Sequence, residues 1–534
     1  MDPAPSDATP ESDRAALPGS AETVPTRPGL RIVGIVAVAV VLVAAVVLRF
    51  VTRSDLWLDE ALSVNIAKLP LSKLHAALKR DGAPPLFYVA LHLWIKVFGS
   101  SDVAVRALSG VAAVATLPAY WLIGRRLGGK QLALITLLVG ATAPFAFRYA
   151  SEARMYSLVM LLVAWGLLAV WGALDRPTLP RLAAVTVVGV ALLYTHNWSL
   201  YLVAVVGLMV LVRALRAQDA ETKRASWLVF AALGVAGLGY VPWLPTLAYQ
   251  AKHTGTPWGD PILPWSGLAW HFESLGGVAI PVHAEAEIYR YGTVLLLALG
   301  VFGAGVDRRH VSLDLRTQPR ARWLAVAAYG TFLVAMVASY VAGAAFDPRY
   351  SSVMVPLVLV LIALGIATFV SDAVRIGVLC VVVVLGLGAG VRVARDQRTE
   401  AGEVAAVIRA EAKPGDVVLY CPDQLGPSSS RLLAEVPGLR QVTYPRLTGP
   451  EFVNWIDYRK VIAATPPAEV AAKVLDLAGD HTVWYVNSPG YRSFDASCED
   501  LGAALGKERF GVGRVGADQV NFFEYVGLTQ YPGS

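Results

Sequence analysis

Eleven apolar runs of near-spanning length, separated by short loops rich in Lys and Arg, leave this chain almost no soluble option. They lie at 30–50, 103–124, 131–148, 155–174, 182–195, 198–212, 226–249, 291–306, 323–345, 351–370 and 376–394. A helix rises about 1.5 Å per residue and a hydrocarbon core is about 30 Å thick, so about 20 residues span it. Only 16% of the 534 residues are charged, against roughly 25% in soluble domains, and the mean hydropathy is +0.53. The pattern predicts an α-helical polytopic membrane protein with about 11 transmembrane helices. The stretch Pro84 to Phe98 is short and carries His92 and Lys96. It reads as a helix lying along the interface, because counting it as a span would invert everything after it.

Charge sets the expected orientation. Short loops rich in Lys and Arg stay in the cytoplasm, and with the N-terminus inside, the clusters Arg125-Arg126-Lys130, Arg176 and Arg181, Arg213 to Arg224, Arg308 to Arg322, and Arg375 all fall on that side. The same count exports the loops 51–102, 149–154, 250–290 and 346–350 and everything after Val393. The formal charge of +6 is then a matter of topology, and no nucleic-acid partner is implied. Three regions follow: a disordered cytoplasmic tail at 1–29, a transmembrane domain at 30–394, and a soluble extracytoplasmic α/β domain at 395–534. Leu30 to Phe50 has no evident cleavage site and reads as an uncleaved first helix. The Ala, Val, Arg and Gly bias suits a bacterial chain in a plasma membrane.

The exported tail alternates in the manner of strands at Asp416 to Cys421, Gln441 to Tyr444, Thr482 to Val486 and Phe522 to Val526, between helix-like stretches at 400–412, 467–478 and 498–507. No glycine-rich phosphate loop opens any of these helices. The three cysteines have no metal-ligand spacing, and Cys380 sits inside an apolar run. Cys421 and Cys498 both lie on the side where a disulfide is chemically permitted, and whether they are bridged stays open.

Candidate chemistry collects in the exported loops. Trp57-Leu-Asp59-Glu60 follows the first helix directly. Acidic residues suit a helix start, but a carboxylate partly desolvated at the membrane surface would have its pKa raised toward the working range of a general base. Both readings stand. Asp81-Gly-Ala-Pro84-Pro85 forces an extended turn. Arg148 to Tyr156 brackets Glu152 between two guanidiniums, Arg148 and Arg154, which anchor helix ends or serve a site. Asp59 and Glu152 on one face would suit a metal or a sugar hydroxyl. Tyr194-Thr-His196, the stretch holding Trp258, Trp265, Trp270, His271 and His283, and Asp347-Pro-Arg349-Tyr350 share that face. Arg349 at a helix mouth either snorkels or holds a phosphate.

Taken in order, Trp57-Leu-Asp59-Glu60, Pro84-Pro85-Leu-Phe-Tyr88, Ala104-Val-Arg106, Gly124-Arg-Arg-Leu-Gly128, Ser151-Glu-Ala-Arg-Met-Tyr156, Tyr194-Thr-His196 and Arg349-Tyr350 resemble the polyprenyl-phosphate-sugar-dependent glycosyltransferases of the C-type membrane fold. That group contains the protein O-mannosyltransferases and the lipid A aminoarabinose transferase. The resemblance spans about residues 30 to 394. It implies a sugar donor on a polyprenyl phosphate, mannose or another monosaccharide, and transfer with inversion to a lipid, protein or cell-wall glycan acceptor. It also implies catalytic roles for Asp59, as base toward the acceptor, and for Glu60 beside it. Arg349 with Tyr350 would meet the donor phosphate, and Glu152, Arg154 and His196 would support substrate or a metal. A divalent ion is compatible with this set and not required; Asp59 and Glu152 would hold it. A lipid or oligosaccharide transporter or flippase, or a non-catalytic scaffold, is the rival reading, and no broken-helix repeat favours it.

Overall fold

The computed structural model describes residues 28–277 and 284–533. Of the tail expected at 1–29, residues 1–27 lie outside the described residues, as does His283. All eleven apolar runs are helical. The first is Pro28–Leu48. Runs 103–124 and 131–148 share one stretch, Asp102–Thr142, broken at Gly128 and Gly129. Gly129 has φ 75° and ψ −162°, a conformation open to glycine alone, and it reverses the chain between two spans. Tyr156–Asp175, Leu179–Leu193, Ser199–Arg216 and Ala220–Tyr240 follow. Run 226–249 continues past a bend at Pro242 into Leu244–His253.

Run 291–306 is shifted: its helix is Ala284–Phe302, and Gly303–Gly305 (β1) leaves it to pair with Val311–Leu313 (β2). The last runs are Pro319–Val341, Val355–Ala367 and Asp372–Arg395. Among the described residues, six helical stretches are long and apolar enough by themselves to cross a membrane. Leu86–Phe98, at 13 residues, reaches only about 20 Å. Val355–Ala367 is equally short, but it is buried along nearly its whole length and continues a turn of 3-10 helix at Pro348–Val353. It crosses Ala284–Phe302 at Gly365 and Gly300, where an added Cβ would meet a backbone carbonyl at 1.8 and 1.9 Å. Two backbones touch there because neither residue has a side chain.

The C-terminal region forms a mixed sheet of Val417–Cys421 (β3), Arg440–Thr443 (β4), Val483–Asn487 (β5), Val512–Val515 (β6) and Gly527–Tyr531 (β7), in the order β4-β3-β5-β7-β6. β3 runs parallel to both β4 and β5, and β7 antiparallel to β5 and β6. Every residue of β3 is buried, as a central strand covered on both faces requires. Helices Ala401–Glu411, Pro467–Ala478 and Ser497–Glu508 occupy the three helix-like stretches. Cys421, ending β3, is bridged to Cys498 at the start of Ser497–Glu508, with Cα atoms 5.5 Å apart.

One expected strand is misplaced. Phe522 to Val526 is not strand; β7 begins at Gly527. The alternating side chains serve a junction instead. Phe523 packs edge-on against Trp57 with ring centroids 5.1 Å apart, and the backbone of Glu524 bonds to Arg398 and Glu400. The Glu524 carboxylate accepts the Leu58 N–H at 3.2 Å. The sheet is thereby fastened to the first loop, and Arg398 adds bonds to Ser151 O and Oγ at 2.9 and 2.7 Å.

Candidate active site

Between the loops that hold Asp59, Arg154, His196 and Arg349 and the C-terminal sheet lies a cavity of about 720 Å³, within the range of small-molecule sites. Its walls come from distant parts of the chain: Asp59 and Asp81 of the first loop, Arg154, His196, Arg349 with Tyr350, and Trp455 and Tyr491 of the C-terminal region.

Helix Leu58–Lys68 starts after an extended Trp57, which puts Asp59 in its first turn and aims the side chain into the cavity. Arg349, 290 residues away, donates from Nη1 to Asp59 Oδ2. Arg154 Nη2 stands 3.6 Å from the same oxygen. Arg349 is held in turn by Asp347, with Nε 3.2 Å from its carboxylate, and its guanidinium lies 5.6 and 5.9 Å from the rings of Trp57 and Trp258. The expected upward shift at Asp59 is not found. Burial does push its carboxyl up, but Arg154, Arg349 and Arg148 together outweigh burial and hold it below the ordinary value. In this resting site Asp59 is an ion-paired carboxylate.

Glu60 turns the other way. Arg106 grips both its oxygens, Nε to Oε1 at 2.7 Å and Nη2 to Oε2 at 2.6 Å, and Ala153 N–H donates at 2.9 Å. The carboxylate is fully buried and does not line the cavity. Glu152 joins the same network, 3.4 Å from Arg148 and 3.9 Å from Arg398. So the structure brings Asp59, Arg154, His196, Arg349 and Tyr350 to one cavity and sets Glu60 and Glu152 behind its wall.

The opposed pair imagined for a metal, Asp59 with Glu152, is not formed. Two guanidiniums occupy the space where a cation at Asp59 would sit, and among the described residues no group of three or more His, Cys, Asp or Glu converges. The residues present do not fit a divalent ion.

His196 Nδ1 accepts the Trp198 N–H at 3.1 Å, which leaves a neutral ring's proton on Nε2. Burial, with Arg154 and Arg349 nearby, lowers its pKa to about 3 and keeps it neutral. Of the aromatic and histidine set, Trp258 lines the cavity. His271 is buried against Phe332, and Trp265 and Trp270 are exposed.

The sequence reading gave the C-terminal region a structural or acceptor-recognition role but singled out none of the residues it brings to the cavity. Tyr491 donates to Gln424, whose amide donates to Tyr458 at 3.2 Å, so this wall is internally hydrogen-bonded. It also passed over Asp81, for which the only signal was its place before Pro84-Pro85.

No family model matches the chain, and no curated protein matches it in sequence. Among solved structures it is similar to ArnT from Cupriavidus metallidurans bound to undecaprenyl phosphate, with a TM-score of 0.52, 14% identity, and coverage of 94% of this chain and 98% of that one. The apo state of the same protein gives a TM-score of 0.58 at 14% identity over the same shares. The Archaeoglobus fulgidus oligosaccharyltransferase, in complex with Zn and sulfate, gives 0.45 at 12% identity over 91% and 72%. The fold is the C-type membrane glycosyltransferase fold. The chain is a multi-pass membrane protein built on it, with a C-terminal sheet region closing one cavity.

Proposed function

We propose that this protein is a membrane glycosyltransferase that moves a monosaccharide from a polyprenyl-phosphate donor to an extracytoplasmic acceptor, with inversion. The observation that carries this reading is the Arg349–Asp59 pair within the cavity: a cation for a phosphate and a carboxylate for a hydroxyl, already in contact. The undecaprenyl phosphate bound to the ArnT neighbour supports the donor class. The Cys421–Cys498 bridge supports export of the sheet region, since disulfides persist in oxidising compartments.

The chemistry follows from the charges. A donor phosphate entering the cavity competes with Asp59 for the Arg349 guanidinium, and Trp57 and Trp258 hold that guanidinium in place. The carboxylate so released accepts a hydrogen bond from the acceptor hydroxyl and aims it at the anomeric carbon, opposite the phosphate. The new C–O bond forms as the acceptor's O–H bond breaks, its proton passing to a carboxylate lining the cavity, and as the old C–O bond breaks. Its electrons go to the polyprenyl phosphate, where Arg349 meets the charge.

Transfer of radiolabelled sugar from a panel of polyprenyl-phosphate monosaccharides, by membranes carrying wild type or Asp59→Asn, tests the reading. Label moved by the wild type, and only at a small residual rate by a folded Asp59→Asn, is the expected result. No transfer from any donor would overturn it.

A further inference from the structure

A second carboxyl opens on the same cavity. Asp81 ends helix Leu71–Asp81, just before Gly82, whose φ of 92° turns the chain toward Pro84-Pro85. Its Oδ2 accepts the Tyr88 hydroxyl at 2.9 Å. Tyr88 Oη in turn accepts from Arg154 Nη1 at 3.3 Å, and Arg154 is the residue ion-paired to Asp59. Arg154 therefore stands between two carboxyls, each lining the cavity.

Their surroundings differ in kind. Asp59 faces Arg154 and Arg349 together. Asp81 faces Arg154 alone, and through the Tyr88 hydroxyl. Apart from Asp59 across the cavity, the other groups around it carry no charge: Asn197 donates to Gly82 O at 3.4 Å, Gln250 to Leu78 O at 2.9 Å, and His196 stays neutral. Lys79, on the same helix as Asp81, is turned away over the Tyr249 ring at 4.0 Å. Burial raises the Asp81 carboxyl, Arg154 and Tyr88 offset this only in part, and the charge of Asp59 adds to it. Neighbouring carboxyls pushed in opposite directions mark a division between proton acceptor and fixed charge.

We infer that Asp81 takes the acceptor's proton, while Asp59 orients the acceptor hydroxyl as a fixed carboxylate. Oδ2 is held by Tyr88, and among the described residues Oδ1 makes no hydrogen bond, so Oδ1 is the receiving atom. The acceptor O–H bond breaks with its electron pair going into the bond to the anomeric carbon. The carbon–oxygen bond to the phosphate breaks with its pair on the leaving group. The proton ends on Asp81. Once the donor phosphate draws off Arg349, Asp59 still faces Arg154 directly at 3.6 Å, whereas Asp81 meets Arg154 only through the Tyr88 hydroxyl; Asp59 stays the weaker base, and catalysis favours the group whose pKa lies nearer the working pH.

This inference rests on the transferase reading. Its test is the pH profile of transfer for wild type, Asp81→Asn, Asp81→Glu and Asp59→Asn, each checked for folding by monodispersity in detergent. Asp81→Asn is expected to lower kcat by about 100-fold or more, leave the donor KM within about threefold, and lose the acid-side fall in rate. Asp81→Glu should recover part of the rate and shift that fall, and the residual rate of Asp59→Asn should keep it. An active wild type with an unchanged acid-side fall in Asp81→Asn overturns this inference alone. A wild type that transfers nothing removes the transferase reading and this inference with it.

Discussion

Replacing Glu60 by Gln separates a structural carboxylate from a catalytic one. The Glu60 side chain is 0% exposed, that of Arg106 6% and that of Arg398 5%. Gln keeps the shape, removes the charge, and turns an NH2 group toward a guanidinium that offers only donors. Two buried cations then lose their shared counter-ion. Breaking a buried pair from one side costs about 3–5 kcal/mol, a large share of a typical stability of about 5–15 kcal/mol. Arg106 also donates to Ser54 O and Asp55 O at 2.7 and 3.0 Å, so the segment leading into Asp59 loosens with it. The expected outcome is a clearly lower unfolding temperature in detergent, with transfer activity falling in step with the folded fraction. Removing Arg106 as well should cost less than the sum of the single changes, since the two residues share one interaction. A Glu60→Gln protein that unfolds like the wild type but transfers no sugar would refute the argument and return Glu60 to the reaction.

Arg349→Gln should fold, because Asp59 keeps Arg154, and should lose about 10²–10³ in kcat/KM, the usual effect of removing one charge-stabilising donor; initial rates against donor concentration check this. Cys421→Ser releases a cross-link between residues 77 apart, worth about 4 kcal/mol by loop closure, and should lower the denaturation midpoint of the sheet region, followed by tryptophan fluorescence. Glu524 gives a pH dependence: burial raises its carboxyl to about 8, above its unfolded value, so the folded state binds the extra proton between those limits. The stability it contributes is complete below the unfolded pKa and is lost as pH rises through about 8. Unfolding temperatures across that window should decline less in Glu524→Gln than in the wild type; parallel curves would refute the assignment.

The membrane fold was legible because lipid demands long apolar helices, and each run carries that demand locally. The separation of runs 103–124 and 131–148 was legible on the same ground, and β3, β4 and β5 showed in the alternation at Asp416 to Cys421, Gln441 to Tyr444 and Thr482 to Val486. Asp59 stood out by its place after the first helix, and Arg349 by its place at a helix mouth. What separates Asp59 from Glu60 was not legible. Adjacent helix positions point about 100° apart, and the choice of which faces the cavity is made by Arg106, Arg349 and Arg398, far along the chain. The direction of the Asp59 shift was misjudged for the same reason: burial is suggested by neighbouring Trp and Leu, whereas cations brought in from loops 149–154 and 346–350 exist only in the folded chain. Phe522 to Val526 looked like a strand because apolar and aromatic residues crowd it, and at the junction Glu524 and Val526 do turn inward while Phe523 stays partly exposed.

The bond from Leu58 N–H to Glu524 means that the segment from Glu524 through β7 and the first turn of the Asp59 helix are one construction. Shuffling C-terminal regions among proteins of this fold would therefore fail as a modular graft unless the partners at Leu58, Trp57 and Ser151 travelled with the donor's Glu524, Phe523 and Arg398. Diversity in that region is tied to the loop that carries Asp59, and the two can only change together.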